Sequence, residues 1–520
     1  MANQQINLKT AEELQQVILQ EKKNGTPDVE IGQKYGVTFK YIERLITKSQ
    51  GLNISAFNIS KRIKTLHPKD FKEEQTTVWS FKQRGTWATH SGEYRGNWSP
   101  YIPRNAILKY SNPGELVLDY FCGGGTTAVE AKLLGRKCTA LDINDKAIEL
   151  AKKNLDFKVS SSELPLLIKN PNPQIYEPKL LVGDARKLSF LPDDSVDLIC
   201  AHPPYANILQ YTNSKDGDLS FLDIDEFLEE MSKVARESFR VLKPGKQCAI
   251  LIGDTRRKKN VIPLGFRFIS TYLDAGFKLR ELVIKRQHNC KTTGFWYNNS
   301  IKYNFLLLAH EYLPIFEKPQ KIDFEAVKEN IAGYHGSLFP EYTRLPLSKK
   351  LEKFETTTVW LLPEKTSEKQ LNKNLVERYS GGNGYKTVIL NNQDANSGGS
   401  NYKSNKKRGL LLIKTSVVNV SDSPAFTEMY LQSLNKVIFK EIGEIYDDGY
   451  VVLQTYDVRI KGYIKPLAKK IVDVLSRSSL LLKEIIVLTS DNLTSSAAAQ
   501  SDFLVRNHEY LLVYQVKRGH

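Results

Sequence analysis

The stretch from Val117 to Thr127 reads VLDYFCGGGTT and decides the fold of this chain. A short apolar run that ends in Asp119 predicts a buried strand, and the glycines and threonines that follow predict a tight turn into a helix. Glycine is the residue that lets a backbone approach a ligand most closely. A strand, a glycine turn and a helix in this order predict a nucleotide-binding α/β fold.

Two more acidic residues follow predicted strands. Asp142 comes after the strand Cys138–Leu141, about 20 residues beyond the glycine turn, where an acid can bind both ribose hydroxyls of a nucleoside. Asp184 follows a third strand, where it can accept a hydrogen bond from an adenine amino group. The loop lacks the GxGxxG spacing of dinucleotide-binding turns. Three acids at strand ends therefore favour S-adenosylmethionine as the cofactor.

The stretch from Val196 to Tyr205, VDLICAHPPY, predicts a fourth strand that delivers a polar loop to the carboxyl edge of the sheet. Methylation of an amino nitrogen conjugated to a base ring requires hydrogen-bond acceptors for the amino hydrogens. The His202 side chain and the Pro203 carbonyl can be these acceptors, Pro203 and Pro204 stiffen the backbone, and Tyr205 offers a ring for a flipped base. Alternatively, His202 is structural and the Pro203 carbonyl is the acceptor.

Together these motifs resemble the amino-methyltransferases that modify adenine at N6 or cytosine at N4, which carry a (D/N/S)PP(Y/F) catalytic loop. The resemblance covers residues 75–316 and includes RGNWSPYIPR at Arg95 to Arg104, which is similar to a segment that closes over the methionine end of the cofactor. His202 departs from the family pattern, so the target base stays open. The resemblance implies a Rossmann-like sheet and these cofactor-binding residues: Asn97, Ser99, Tyr101, Asp119, Phe121, Gly123, Gly125, Thr126, Thr127, Asp142 and Asp184.

The cysteines exclude other chemistries. C5-methylation of cytosine needs a nucleophilic cysteine, usually after proline, and the sequence has no Pro-Cys dipeptide. The five cysteines form no CxxC pair, so neither a disulfide framework nor a metal site is predicted. The first residues lack an apolar signal core and no run is long enough to span a membrane, so we expect a cytoplasmic protein.

The charge of the chain favours a polyanionic partner. Lys and Arg total 74 against 58 Asp and Glu, a formal net charge of +16, which attracts nucleic acid. Basic and aromatic residues after the catalytic loop are candidates to contact phosphates and bases. These nucleic-acid candidates are Arg256, Arg257, Lys258, Lys291 and Trp296.

Residues 1–58 predict a small helical unit that resembles a helix-turn-helix. A helix after Pro27, a turn at Gly36 and a helix from Phe39 would present Lys40, Tyr41 and Arg44 to DNA. A helical pair that packs only on the rest of the protein is the alternative.

Residues 74–316 form the predicted catalytic domain, and residues 340–520 a degenerate second copy of it. DTRRK at Asp254 recurs as DVRIK at Asp457, and LREL at Leu279 recurs as LKEI at Leu482, both with an offset of 203. HEYL at His310 recurs at His508 with an offset of 198, and TTVW at Thr76 recurs at Thr357. Residues 391–408, NNQDANSGGSNYKSNKKR, predict a surface loop. We expect the second copy to have lost its cofactor and catalytic loops.

The sequence thus predicts a DNA amino-methyltransferase that uses S-adenosylmethionine, acts on adenine or cytosine and has DNA as its partner. A restriction endonuclease is a second expected partner. An RNA base methyltransferase is the closest alternative, because similar catalytic loops serve RNA. A non-catalytic DNA-binding regulator is the alternative from another class.

Overall fold

The structure is a computed structural model of the 520-residue chain, in which two compact units are distinguished. The first unit comprises residues 1–72 and 83–250, and the second comprises residues 73–82 and 251–520. The structure describes residues 11–24, 26–38, 41–42, 45, 63–90, 96–160, 163, 168, 173–204, 218–257, 259–288, 300, 302–320, 355–361, 367–390, 407–415, 425–475, 480–489 and 503–517.

The described residues form helices and strands that we number in chain order. The helices α1 to α10 are Ala11–Lys23, Asp28–Tyr35, Tyr101–Tyr110, Thr126–Leu133, Asp145–Leu155, Ile224–Val241, Leu264–Asp274, Ser367–Tyr379, Ala425–Glu441 and Leu467–Leu475. The strands β1 to β18 are Val78–Ser80, Leu116–Asp119, Lys137–Asp142, Lys179–Val182, Val196–Ala201, Leu242–Ile250, Thr255–Arg257, Asn260–Ile262, Lys278–Arg286, His310–Glu317, Val359–Leu361, Tyr385–Leu390, Arg408–Thr415, Ile445–Thr455, Val458–Ile460, Tyr463–Lys465, Leu480–Thr489 and His508–Val516.

The first unit contains a parallel sheet with the strand order β6-β5-β2-β3-β4. Every residue of β5 is buried, as expected for a strand covered on both faces. The helix α6 starts with a capping box between Asp223 and Glu226 and ends at Val241. The Rossmann-like fold is therefore confirmed, and β2, β3, β4 and β5 lie where the sequence placed them.

The N-terminal helices share a small apolar core of Ile18, Ile31, Ile42 and Leu45. Gly36 ends α2 in the left-handed conformation. Tyr41, which is predicted to face DNA, is half-buried and packs against this core. Its ring therefore contributes to the helical packing. Lys40 and Arg44 lie outside the described residues, and the DNA-binding role of this region stays a prediction.

The second unit contains a six-stranded sheet with the order β11-β17-β18-β14-β13-β12. Its β11-β17-β18 part repeats the pairing of β1, β9 and β10, in which a parallel pair is followed by an antiparallel one. Its β14-β13-β12 part repeats β6-β5-β2, again with parallel pairs. The prediction of a second α/β copy is confirmed.

The C-terminal copy is shorter than the first. Between β12 and β13 the chain has only residues 391–407, whereas residues 120–195 separate β2 from β5 and carry β3 and β4. Among the described residues, the C-terminal sheet ends at β12, the counterpart of β2, whereas the first copy continues with β3 and β4. Most of the loop predicted at residues 391–408 lies outside the described residues, and Arg408 belongs to β13.

The two copies exchange matching ion pairs within the second unit. Arg256 pairs with Glu484, and Arg459 pairs with Glu281. The two glutamates are almost completely buried, with 1% and 0% of their side chains exposed. Arg256 and Arg459 are equivalent positions of the repeat, and so are Glu281 and Glu484. Each arginine therefore binds the glutamate of the other copy. This reciprocity is the arrangement of a twofold-symmetric interface.

A buried chain of hydrogen-bonded polar side chains crosses the same interface. Thr358 Oγ1 lies 2.9 Å from His310 Nδ1, and His310 Nε2 lies 3.0 Å from the Tyr312 hydroxyl. The Tyr312 hydroxyl donates to Asp254 at 3.1 Å. Burial lowers the pKa of His310 to about 4, so the imidazole is neutral at pH 7. The other copy repeats these contacts with Thr77, His508 and Tyr510.

Candidate functional site

The glycine turn is anchored by Asp142 at the end of β3. The Gly123 amide donates to one oxygen of the Asp142 carboxylate at 2.9 Å, and the Asn144 amide donates to the other at 2.9 Å. Both contacts follow from the neighbouring parallel strands β2 and β3, whose carboxyl ends lie at the same edge. The predicted ribose-binding acid and the predicted cofactor turn are thus in direct contact.

The turn requires glycine at position 125. Gly125 precedes α4 with φ of 81°, a left-handed conformation that disfavours other residues. A Cβ atom on Gly125 would also lie 3.0 Å from the Ala151 Cβ. A Cβ atom on Gly124 would lie 2.9 Å from Asn97 Nδ2, so the turn packs closely against the Asn97 side chain.

The segment around Asn97 contacts the glycine turn. The Gly124 amide donates to Asn97 Oδ1 at 3.2 Å. Arg84 donates to the carbonyls of Asn97 and Trp98 at 2.7 and 2.9 Å, and the Ser99 hydroxyl donates back to the Arg84 carbonyl. Arg84 therefore fixes the shape of this segment.

Glu130 lies in α4, the helix that follows the glycine turn, and connects this helix to the segment around Asn97. Its carboxylate accepts hydrogen bonds from Trp87 Nε1 and His90 Nε2 at 2.7 Å each, and from Arg104 at 2.8 Å. Its side chain is completely buried. Burial alone raises the pKa of Glu130, but Arg104 and His90 together hold that pKa below its usual value. Sequence reasoning missed this residue because no motif contains it.

A cleft opens between the glycine turn and the catalytic loop, at the carboxyl edge of the parallel sheet, where open α/β sheets bind ligands. Residues predicted from the sequence line much of it, namely Asn97, Phe121, Gly123, Asp142, Asp184, His202 and Pro204. Residues that sequence reasoning missed also line it, among them Gly96, Trp98, Ile143 and Asp218.

The other predicted site residues in the described part of the chain do not line the cleft. Tyr101 packs against Trp87 and Phe71 rather than lining the cleft. Ser99 is engaged with Arg84, and Pro203 is buried. Gly125, Thr126 and Thr127 form the start of α4. Tyr205 lies outside the described residues, so its role stays a prediction.

Asp184 sits in the cleft wall with its carboxylate oriented by Arg186. The Arg186 guanidinium donates to it at 2.7 to 3.1 Å, and the Arg186 amide donates at 2.9 Å. Burial alone raises the pKa of Asp184, but Arg186 holds the pKa below its usual value. The carboxylate therefore stays ionised and is a fixed acceptor at the cleft.

Trp98 stacks on the predicted catalytic histidine. The ring centroids of Trp98 and His202 are 5.7 Å apart with an interplanar angle of 19°. Trp98 is buried, and His202 is half-buried at the cleft. The indole therefore restricts the orientation of the imidazole at the substrate side of the site.

Asp119 lies beneath the cleft and is 2% exposed. Its carboxylate accepts from the Phe121 amide at 3.0 Å. Burial is the main cause that raises its pKa from 3.8 to about 7, and the hydrogen bonds with Thr127 and Phe121 offset only part of that effect. We therefore assign Asp119 to the support of the turn.

We expect Asp119→Asn to become more stable relative to the wild type as the pH rises. Because the folded-state pKa of Asp119 is raised, its contribution to stability is fully present below about pH 4 and lost through about pH 7. Asparagine keeps an oxygen acceptor but does not ionise. Urea unfolding at pH 5 and pH 8 measures the difference, and a pH-independent difference would contradict the assignment.

The predicted nucleic-acid residues have different surroundings. Arg256 is committed to its ion pair with Glu484 and to the Leu306 carbonyl, so we assign it a structural role in place of the predicted DNA contact. Arg257 is exposed, whereas Lys258, Lys291 and Trp296 lie outside the described residues.

Within the described ranges there is no cluster that can hold a metal ion and no helix long and apolar enough to cross a membrane.

The sequence model of a DNA methylase family, the N6/N4 methyltransferases, matches residues 2–153 and 196–411, which is more than half of the chain. The chain belongs to this family. A methyltransferase domain model also matches residues 118–250, the part that holds the glycine turn and the catalytic loop.

Individual relatives match part of the chain. The type II methyltransferase M.BglII of Bacillus subtilis is 27% identical over 168 residues, which cover 30% of this chain and 45% of the relative. M.MthZI of Methanothermobacter thermautotrophicus is 29% identical over 169 residues, covering 29% and 47%. This chain thus spans about half the length of these relatives. A putative DNA modification methylase of Thermus thermophilus, solved with S-adenosyl-L-methionine, is 28% identical over 28% of this chain and 56% of its own, with a TM-score of 0.20.

Proposed function

We propose that this family member transfers a methyl group from S-adenosylmethionine to the exocyclic amino group of adenine or cytosine in DNA. The observation that carries the proposal is the cleft, which brings the glycine turn of β2 and the His202-Pro203-Pro204 loop of β5 to one cavity. We further propose that the protein serves in a restriction-modification system with a partner endonuclease, by analogy with the type II relatives.

The residues that line the cleft fit this cofactor. Asp142 would take the ribose hydroxyls, Asp184 the adenine amino group, and the turn at Gly123 the close approach of the backbone. Asn97 lies over the turn, where it can contact the methionine end. The cofactor supplies an electrophilic methyl group on a sulfonium.

The catalytic loop supplies acceptors and rigidity. The lone pair of the target nitrogen is conjugated with the base ring, and hydrogen bonds that accept both amino hydrogens favour its release from the ring plane. The Pro203 carbonyl and the His202 imidazole are the candidate acceptors, and Trp98 holds the imidazole in one orientation. Tyr205 would stack on the flipped base.

The described cysteines do not favour C5 chemistry. Cys122, Cys138, Cys200 and Cys248 are all buried and free. Burial raises the pKa of the Cys200 thiol, which lies in the strand just before the catalytic loop, well above its usual value. A buried neutral thiol is a poor nucleophile. This supports transfer to an amino nitrogen.

The experiment is incubation of the purified chain with methyl-labelled S-adenosylmethionine and either plasmid DNA or total RNA. We expect label in DNA, at the amino group of one base type, and loss of label with His202→Ala if the imidazole is an acceptor. Label that enters only RNA would refute the DNA substrate and support the RNA alternative.

We expect Asp142→Ala to weaken cofactor binding by at least about 10- to 150-fold, the effect of losing one charge-assisted hydrogen bond of about 1.5 to 3 kcal/mol to a ribose hydroxyl. Loss of the second such bond, and of the acceptor for the Gly123 amide, adds to this effect. Calorimetric titration with S-adenosylmethionine measures the change. An unchanged affinity would refute the role of Asp142, provided the variant unfolds at the same temperature as the wild type without cofactor.

A further inference from the structure

A group of cationic side chains converges on the second unit around Lys483. Arg256 donates to the backbone carbonyls of Lys259 at 2.7 Å and of Lys483 at 3.3 Å, which brings these two residues together. The Lys259 ammonium lies 4.1 Å from the ring centre of Tyr303, and the Lys302 ammonium lies 5.2 Å from it. We call Lys259, Lys302, Tyr303 and Lys483 the Lys483 patch.

The patch has an excess of positive charge. Lys483 is 8% exposed. Burial lowers its pKa, Glu484 offsets part of this effect, and the nearby cations Arg256, Lys259 and Lys517 lower the pKa further. Among the described residues, no carboxylate lies within ion-pair distance of Lys483 or Lys259. Glu484 is taken by Arg256. Cations held close together in this way favour the binding of an anion.

In the other copy the residue equivalent to Lys483 is Arg280, and an acidic residue balances its charge. β9 and β17 each carry a bulge, at Arg280 and at Lys483, and the flanking registers show that these residues are equivalent. Arg280 pairs with Glu317 at 2.8 Å. The residue equivalent to Glu317 is Gln515, which pairs with Leu481 as Glu317 pairs with Lys278. The position of the acid that balances Arg280 is therefore occupied in the second copy by an uncharged amide, which donates to Asp448 at 3.1 Å, and Asp448 also pairs with Lys517.

A second difference adds a cation on the same side. The repeat offset places Gly462 opposite Lys259, so this position between β15 and β16 has no lysine. Arg459 binds the carbonyls of Gly462 and Arg280 just as Arg256 binds those of Lys259 and Lys483. The arginine contacts with the backbone are thus the same on both sides, whereas the charge at this position differs.

We propose that Lys259, Lys302 and Lys483 bind the phosphate backbone of the substrate DNA, beside the ring of Tyr303. Tyr303 is 42% exposed, which leaves its ring available next to a bound strand. The C-terminal copy thereby contributes a DNA contact although it lacks the strands that carry a cofactor site. This inference rests on the proposed function, because it takes DNA as the substrate.

The test uses the full-length chain and a fluorescent duplex DNA whose binding is followed by anisotropy between about 50 and 200 mM salt. Replacement of Lys259 and Lys483 by glutamine should lower the salt slope by about 0.9 per lost phosphate contact, or about 1.8 in total. The wild type should therefore bind more tightly than the double variant at about 50 mM salt, and this advantage should shrink about tenfold by about 200 mM.

Two further variants sharpen the test. Gln515→Glu restores the acid found at the equivalent position 317 and should weaken DNA binding although it removes no lysine. Lys373→Gln removes a charge from an exposed lysine on α8 and should leave the salt slope within error. Cofactor affinity should be unchanged in all variants, since none of these residues lines the cleft.

The outcomes separate the inference from the proposed function. A wild type that binds duplex DNA, together with a Lys259 and Lys483 double variant of equal affinity and equal slope, would overturn the inference alone. A wild type that does not bind duplex DNA at all would overturn the proposed function together with the inference.

Discussion

Replacement of Glu130 by alanine is expected to lower the free energy of unfolding by about 3 to 5 kcal/mol, the cost of leaving a buried charge without its partner. The Glu130 carboxylate is completely buried and accepts from Trp87, His90 and Arg104. Its loss leaves the Arg104 guanidinium buried beside two unsatisfied donors. Urea unfolding measures the effect, and Glu149→Ala, at an exposed position on α5, is the matched control.

The same variant should also weaken cofactor binding, although Glu130 does not line the cleft. Glu130 ties residues 87–104 to α4, and this segment places Asn97 over the glycine turn and Trp98 against His202. Glu130→Gln keeps one acceptor and should lose less of both properties. A folded Glu130→Ala protein with wild-type cofactor affinity would show that the segment keeps its place without this carboxylate.

The sequence predicted the cofactor cleft well where a motif ends a strand. Asp142 and Gly123 are positioned by β3 and β2, so their contact follows from parallel pairing alone. Around Asn97 the resemblance to a closing segment implied Asn97, Ser99 and Tyr101 as cofactor-binding residues. The structure has an irregular turn there, and consecutive residues 96 to 98 line the cleft instead. A resemblance of a whole segment does not predict which residues of an irregular turn face a ligand.

The duplication was visible in the sequence because the repeated motifs carry buried polar groups. Glu281 and Glu484, and His310 and His508, are all buried and hydrogen-bonded across the two copies. A substitution at any of these positions leaves a partner unsatisfied. What the sequence could not show is that each arginine binds the glutamate of the other copy, because a repeat gives equivalence of positions and not their pairing.

That pairing makes Arg256→Ala and Arg459→Ala equivalent, and each is expected to destabilise the protein by about 3 to 5 kcal/mol. Each variant leaves a glutamate with at most 1% exposure without its arginine. Arg257→Ala, one residue away and exposed, should change the free energy of unfolding by less than about 0.5 kcal/mol.

The pH dependence of the two arginine variants distinguishes this explanation from a simple loss of packing. Burial already raises the pKa of Glu281 and Glu484, and the arginines offset part of that effect. Without its arginine each glutamate has a still higher pKa, and the stability that depends on its neutral form is lost as the pH rises through that value. The deficit of each variant should therefore be smaller at pH 5 than at pH 8 in urea unfolding. Equal deficits at both pH values, or a deficit in only one of the two variants, would show that the interface does not depend on two equivalent charge pairs.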